Sequence, residues 1–154
     1  GGATPLGIEA LGVLRAEKGF IYVGQDTDGE TMPHDLAFAG PRAERQDSYV
    51  GDRSLFMPAA NKPDRKRLVG ILVEGTAPIP IGAHAIERKA GRKRSLGYVT
   101  SSYHSAHLGH PIALGLIEGG VERGTIEVEH LGQDFKARLV PPCFLDPKGE
   151  RLNA

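Results

Sequence analysis

Four carboxylates crowd one short stretch of the chain. Asp26, Asp28, Glu30 and Asp35 all fall within "GQDTDGETMPHD", residues 24–35. Acidic oxygens at such spacing can hold a hard cation or manage a proton. A calcium loop of the EF-hand kind needs alternating ligands, glycine at its sixth position and a bidentate glutamate at its twelfth. With Asp26 as the first position, Gly29 is fourth and Ala37 is twelfth, so the pattern fails. Asp28-Gly29 is a strong turn dipeptide, and a solvated β-turn is the better reading.

Three further groups could carry chemistry. His104, His107 and His110 recur at three-residue intervals in "SSYHSAHLGHP", and imidazole suits zinc. Gly109 and Pro111 break any helix there, so a loop bearing surface histidines is expected and no metal site. The run "ERKAGRKR", residues 87–94, holds five basic residues in eight and could grip phosphate. It has no interleaved aromatic, and Gly91 sits centrally as at a hairpin tip, which favours a solvated loop. Cys143 stands alone in "PPCF" with no partner base near it in sequence. No G-x-S-x-G elbow, G-x-G-x-x-G fingerprint or phosphate loop occurs. The residues by themselves supply no reaction.

Composition narrows the class. The 154 residues are 40% hydrophobic with formal net charge zero, as in one soluble domain, or a small domain plus part of another. That balance points to neither nucleic acid nor an anionic membrane as partner. No apolar run approaches the roughly 20 residues of a membrane-spanning helix. The start, "GGATPLGIEALG", lacks the pattern of a secretory signal. A single cysteine allows no intrachain disulfide and suits a reducing cytoplasm.

The elements that must position these residues fall into two regions. "TPLGIEALGVLRAEKG", residues 4–19, predicts a helix capped by Thr4, with Pro5 in its first turn and Gly19 as a left-handed stop. Gly7, Ala10, Leu11 and Leu14 would form its small-to-apolar face. "FIYVG", residues 20–24, predicts a strand. A second helix is expected over 46–57, capped by Asp47 or Ser48, although Gly51 weakens it. Beyond the polar linker at 58–66 come "LVGILVEG", "GAHAIERK", "LGYVTSS", "PIALGLIEG", "TIEVEHLG" and "FKARLVPPCF". These six short runs predict a small antiparallel barrel or sandwich. The fold class is therefore α+β: a helical and strand segment at 1–57, the linker, a β-barrel at 67–146 and a tail at 147–154.

The local wording adds a resemblance. "TPLGIEALGVLRAEKGFIYVGQDTDGETMPHDL" resembles a segment of the aminomethyltransferase family, the glycine-cleavage T-protein and its relatives. Arg15, Glu17, Gly19, Gly24, Asp26, Asp28 and Pro33 match its frame. "YVGDRSL", "RLVGILVE", "GYVTSSYHSAHLGHPIALGLIEGG" and "VPPCF" follow in the family's order. "EALGVLRAEKGF", "VTSSYHSAHLG" and "DPKGERLN" are most similar to the branch formed by the alpha subunit of heterotetrameric sarcosine oxidase, in its carboxy-terminal part.

The resemblance implies a T-protein-like fold in which 1–57 is the tail of the folate-binding lobe. It implies tetrahydrofolate as acceptor of a one-carbon unit during demethylation of sarcosine to glycine. FAD, FMN and NAD would belong to other regions and subunits, and the remainder of the alpha subunit would be a partner. The family's catalytic aspartate and main pterin-binding glutamate are expected upstream, so no catalytic residue is assigned in this chain, which alone would be inactive. Where T-proteins usually carry a folate-holding arginine, the matching position is Leu11; where some place a tyrosine, it is Phe20. Arg15, Glu17, Phe20, Tyr103 and Phe144 are the candidate folate contacts, with packing between helix and barrel as the competing role for each. A glycine-cleavage aminomethyltransferase working with a lipoyl carrier, and a non-catalytic module that joins subunits, are the alternatives.

Overall fold

The computed structural model describes residues 2–36 and 47–151. Helix α1 spans Ile8–Glu17, and short 3-10 turns follow at Pro33–Leu36, Asp52–Phe56 and Pro58–Asn61. Six strands come next: β1 Lys66–Val73, β2 His84–Lys89, β3 Arg92–Ser105, β4 His110–Glu118, β5 Thr125–His130 and β6 Gln133–Val140. All six apolar or alternating runs have become strands. They pair antiparallel in the order β1-β4-β3-β2-β5-β6 and close into a barrel where β6 meets β1. Closure leaves no strand edge to be covered.

The alternation of side chains divides the core in two. Val69, Ile71, Val99, Ala113, Ile117, Val128 and Leu139 fill the barrel. Leu68, Ile112, Leu114 and Leu116 point outward and pack beneath Ala16 of α1 and Leu36. Strand β4 therefore buries both faces, which is why "PIALGLI" is almost continuously apolar rather than alternating. At the β2–β3 tip, Ala90 and Gly91 both take positive φ, 50° and 74°. Two such residues in a tight hairpin match the right-handed twist of the strands, so Gly91 does sit at a hairpin tip. The basic residues of the run, however, lie in β2 and β3 rather than in a loop, and Arg88, Lys93 and Arg94 pair with Glu127, Glu129 and Glu118.

The first region differs from expectation in three respects. Helix α1 starts at Ile8 after an N-cap Gly7 that offers no side-chain acceptor, so Thr4 and Pro5 lie outside it. Its end is as expected: Gly19 has φ 73°, and Phe20 N–H and Gly19 N–H donate to the carbonyls of Arg15 and Ala16. That pair of bonds is the Schellman ending of a helix. Second, residues 20–24 form no strand. The amides of Gln25 and Asp26 turn back to the Tyr22 carbonyl, and the closed barrel has no edge for another strand. Third, the helix expected over 46–57 is only the 3-10 turn Asp52–Phe56, entered through Gly51 at φ 90°, a conformation no α-helix continues. Gln46 lies outside the described residues.

Candidate functional site

The junction between α1 and β3 gathers Arg15, Glu17, Asp26 and Tyr103 of the residues singled out in the sequence. Strand β3 carries an extra residue relative to β4 between Val99 and Ser101. Such a bulge re-phases the strand. Before it, Val99 faces the barrel core; after it, Ser101, Tyr103 and Ser105 face α1. Neighbouring residues of a regular strand point to opposite faces. Here Thr100 and Ser101 instead donate to one and the same oxygen, Oδ1 of Asp26.

Asp26 is wholly buried, at 0% exposure. Its Oδ2 pairs with the Arg15 guanidinium and accepts the Tyr22 amide at 2.9 Å. All four donors converge on one carboxylate, so the polar groups carried by α1, by the 22–26 turn and by β3 satisfy each other away from water. The solvated-turn reading is thus corrected for Asp26: the residue folds inward to neutralise a buried arginine. It holds for Asp28, whose Oδ1 accepts the Glu30 amide and the Thr31 hydroxyl at 3.0 and 2.8 Å. The Thr31 hydroxyl is the main cause that holds the Asp28 carboxyl below its ordinary value.

Arg15 is inserted between two aromatic rings. Its guanidinium carbon lies 4.3 Å from the Tyr22 ring centre and 5.5 Å from that of Tyr103. Nη2 donates to Ser101 Oγ and Tyr103 Oη, and Nη1 to the Phe20 carbonyl at 3.2 Å. Only Nε is buried without a partner among the described residues of this cluster. Gly12 lets Tyr103 approach the helix: a Cβ there would stand 3.1 Å from the tyrosine oxygen.

Glu17, also buried, accepts the Ser105 hydroxyl, which in turn accepts the Leu108 amide at 3.0 Å. The Glu17 carbonyl receives the amides of Phe144 and Leu145 at 2.8 and 3.0 Å. Lys18 Nζ donates to the Asp146 carbonyl at 2.6 Å. The segment after β6 therefore straps the end of α1 onto the barrel. Gly19 fits under this strap, because a Cβ would meet the Pro142 carbonyl oxygen at 2.7 Å. Phe144 lies half-buried over Gly70 of β1.

The five candidate contacts consequently separate. Arg15 and Tyr103 touch, and Glu17 and Phe144 are joined through the strap. Phe20 is tied to Arg15 only through its backbone, and the residue is 64% exposed. The other carboxylates do not converge. Asp35 is buried against Arg65; burial pushes its carboxyl up, but the Arg65 hydrogen bonds and charge together with the Met32 amide outweigh this and hold it below the ordinary value. His104 ends up in β3 and His110 in β4, with His107 in the turn between them, 3.2 Å from Arg151. No group of three metal-ligating side chains is brought together among the described residues. Sequence reasoning missed Thr100, Ser101 and Ser105. Their signal was hydroxyls clustered in "TSSYHS" within an otherwise apolar sheet.

Comparison with known proteins agrees with this geometry. Residues 66–146 match the family described as the glycine cleavage T-protein C-terminal barrel domain. The chain belongs to that family. The T-protein barrel match covers all six strands and the beginning of the strap. Over 99% of its length the chain is 36% identical to the sarcosine oxidase subunit alpha of Rhizobium meliloti, covering 16% of that protein. It is 34% identical to an aminomethyltransferase of Rubrobacter xylanophilus, over 96% of the chain and 40% of the relative. The fold is similar to that of glycine cleavage system aminomethyltransferase T from Bartonella henselae, with a TM-score of 0.74 and 21% identity over 92% of the chain and 40% of that structure. The chain thus spans well under half the length of these relatives.

Proposed function

We propose that this T-protein-like unit is the carboxy-terminal, folate-side part of an enzyme of the sarcosine oxidase alpha-subunit kind. In that reading the enzyme demethylates sarcosine oxidatively to glycine and passes the one-carbon unit to tetrahydrofolate, giving 5,10-methylenetetrahydrofolate. The observation that carries it is the extent of the likeness. It runs through α1 and the Asp26 turn as well as the barrel, and covers 99% of the chain. Leu11 in place of the family's folate-holding arginine supports the oxidase branch over a glycine-cleavage aminomethyltransferase.

Tetrahydrofolate would supply the amine nitrogens that accept the one-carbon unit. Among this chain's residues, the exposed Phe20 ring fits a pterin or benzoyl face by stacking. Tyr103 would border the same opening from the barrel side, and Phe144 would back it from the strap. Arg15 and Glu17 are buried, with Arg15 Nη1 and Nη2 and Glu17 Oε1 already engaged by protein groups. Both act in this reading as positioning residues that hold Phe20 and Tyr103 relative to each other. FAD, FMN and NAD chemistry, and the catalytic aspartate, belong to other parts of the enzyme, and its setting is the cytoplasm.

The test uses the longer protein that contains this chain, supplied with sarcosine. Without tetrahydrofolate the methyl carbon is expected as formaldehyde. With tetrahydrofolate, formaldehyde falls and 5,10-methylenetetrahydrofolate rises in equal measure. A formaldehyde yield indifferent to tetrahydrofolate would sink the folate reading. Methylene transfer from an aminomethyl-lipoyl carrier, with no oxidation of sarcosine, would establish the aminomethyltransferase alternative instead.

A further inference from the structure

Tyr22 meets the buried junction on one side and water on the other. Its ring centre lies 4.3 Å from the Arg15 guanidinium carbon, yet the residue is 37% exposed. Its amide donates to Asp26 Oδ2 at 2.9 Å, and its carbonyl accepts the amides of Gln25 and Asp26 at 3.1 and 2.8 Å. Backbone and ring are therefore both pinned. Ile21, just before it, packs against the outer core, and Phe20, one residue further back, is 64% exposed. Two aromatic residues thus flank an inward one, and both reach the surface.

The cation beneath Tyr22 is fixed. Arg15 is 6% exposed and is held by Asp26, Ser101 and Tyr103, so it cannot leave the ring without breaking those bonds. A cation on one face of an aromatic ring draws π density toward itself. The opposite face becomes less negative, and a second ring rich in π density stacks on it with less repulsion. An arene that carries an amine donor is such a ring. Covering a buried guanidinium would need only an apolar lid, which leucine could supply. An aromatic lid, already immobile and partly in water, gives a planar group a surface that needs no ordering when it binds.

We propose that Tyr22 is a binding residue of the folate site, and that its outer ring face receives the p-aminobenzoyl ring of tetrahydrofolate. The inference rests on the folate reading of this chain. It separates the roles of two neighbouring aromatics. Tyr22, locked onto Arg15, takes the aminobenzoyl ring, whose nitrogen substituent is the amine donor. Phe20, tied to Arg15 through its backbone alone, is left for the pterin. Arg15 is then a positioning residue that acts on the ligand through the Tyr22 ring.

The test uses the longer protein that contains this chain, with 5-formyltetrahydrofolate as the probe. Tyr22→Phe keeps the ring, whereas Tyr22→Leu keeps only an apolar cover over Arg15. Calorimetric titration is expected to show binding within about twofold of wild type for Tyr22→Phe, and about three- to tenfold weaker for Tyr22→Leu. Ligand-observed NMR adds a readout that a purely structural lid would not move. The aminobenzoyl protons of the bound probe are expected upfield, shielded by the ring, in wild type and Tyr22→Phe, and less shielded in Tyr22→Leu. Equal affinity and equal shielding in wild type and Tyr22→Leu overturn the proposal while the folate reading stands. Weaker binding with the shielding retained also overturns it, because Tyr22 would then only cover Arg15. Should Tyr22→Leu fail to fold, 3-fluorotyrosine labelling decides, with the Tyr22 fluorine signal assigned by its absence from Tyr22→Phe. That signal is expected to shift as the probe saturates the protein, and a stationary signal overturns the proposal. A wild-type protein that does not bind the probe at all would sink the folate reading itself, and this proposal with it.

Discussion

Replacing Asp26 by Asn tests the polar junction most severely. The carboxylate receives four donors: the Arg15 guanidinium, the Tyr22 amide and the Thr100 and Ser101 hydroxyls. An amide of the same shape offers one oxygen, and its NH2 would confront donors where Asp26 presents an acceptor. The substitution also leaves a buried guanidinium without its counter-charge. Removing one partner of a buried ion pair costs about 3–5 kcal/mol. In a domain of this size each kcal/mol moves the melting temperature by roughly 2–4 °C, so a drop on the order of 10 °C is expected. Thermal and urea unfolding followed by circular dichroism measure it, with Asp28→Asn as the exposed control expected to cost under about 0.5 kcal/mol. A double-mutant cycle with Arg15→Met isolates the pairwise part. An Asp26→Asn protein within about 1 kcal/mol of wild type would refute the assignment of Asp26 as the neutralising centre of the junction.

Three further outcomes follow from the same geometry. Gly19→Ala must place a Cβ against the Pro142 carbonyl at positive φ; a loss of about 1–3 kcal/mol, with faster proteolysis of the strap, is expected in unfolding and nicking assays. Ser105→Ala removes the hydroxyl that Glu17 accepts, and a loss of about 1–3 kcal/mol is expected from the carboxyl left buried. The Asp35 carboxyl is held below its ordinary value near 3.8 when folded. Its contribution to stability is therefore fully present above that value and fades as pH falls through the lower folded value. The stability gap between wild type and Asp35→Asn should be constant above about pH 5 and shrink in acid, as read from urea midpoints across pH.

The barrel was legible because its signals are local. Each strand run has apolar or alternating residues bounded by turn residues, and Ala90-Gly91 shows how the hairpin tip satisfies the twist. The resemblance of "LRAEKGF" and "GQDTDG" named the family for a different reason, since those words are specific without being explained by periodicity. The structure supplies the missing explanation: Arg15, Gly19 and Asp26 are parts of one buried junction. That junction was hidden because its halves lie far apart in sequence, with Arg15 bonded to Ser101 and Glu17 to Ser105. The β3 bulge that brings Thr100 and Ser101 to one oxygen has no signature in a single sequence. The periodicity of α1 set out a small-to-apolar face without saying which way it points: Leu11 and Leu14 are each 47% exposed, whereas paired charges and small residues are buried. Short "FIYVG" had strand-forming residues, yet the helix ending and the Asp26 turn use its backbone groups first.

The central claim is that this chain carries one side of a folate site, with Phe20 and Tyr103 held in place by the Arg15–Asp26 junction. Titration of 5-formyltetrahydrofolate into the chain, followed by residue-resolved NMR, tests it most directly. Shifts confined to Phe20, Tyr103 and their neighbours, and lost in Phe20→Ala while the barrel resonances stay unchanged, are the expected result. A spectrum that does not respond to saturating ligand, or responds only on the far side of the barrel around β5 and β6, would contradict it.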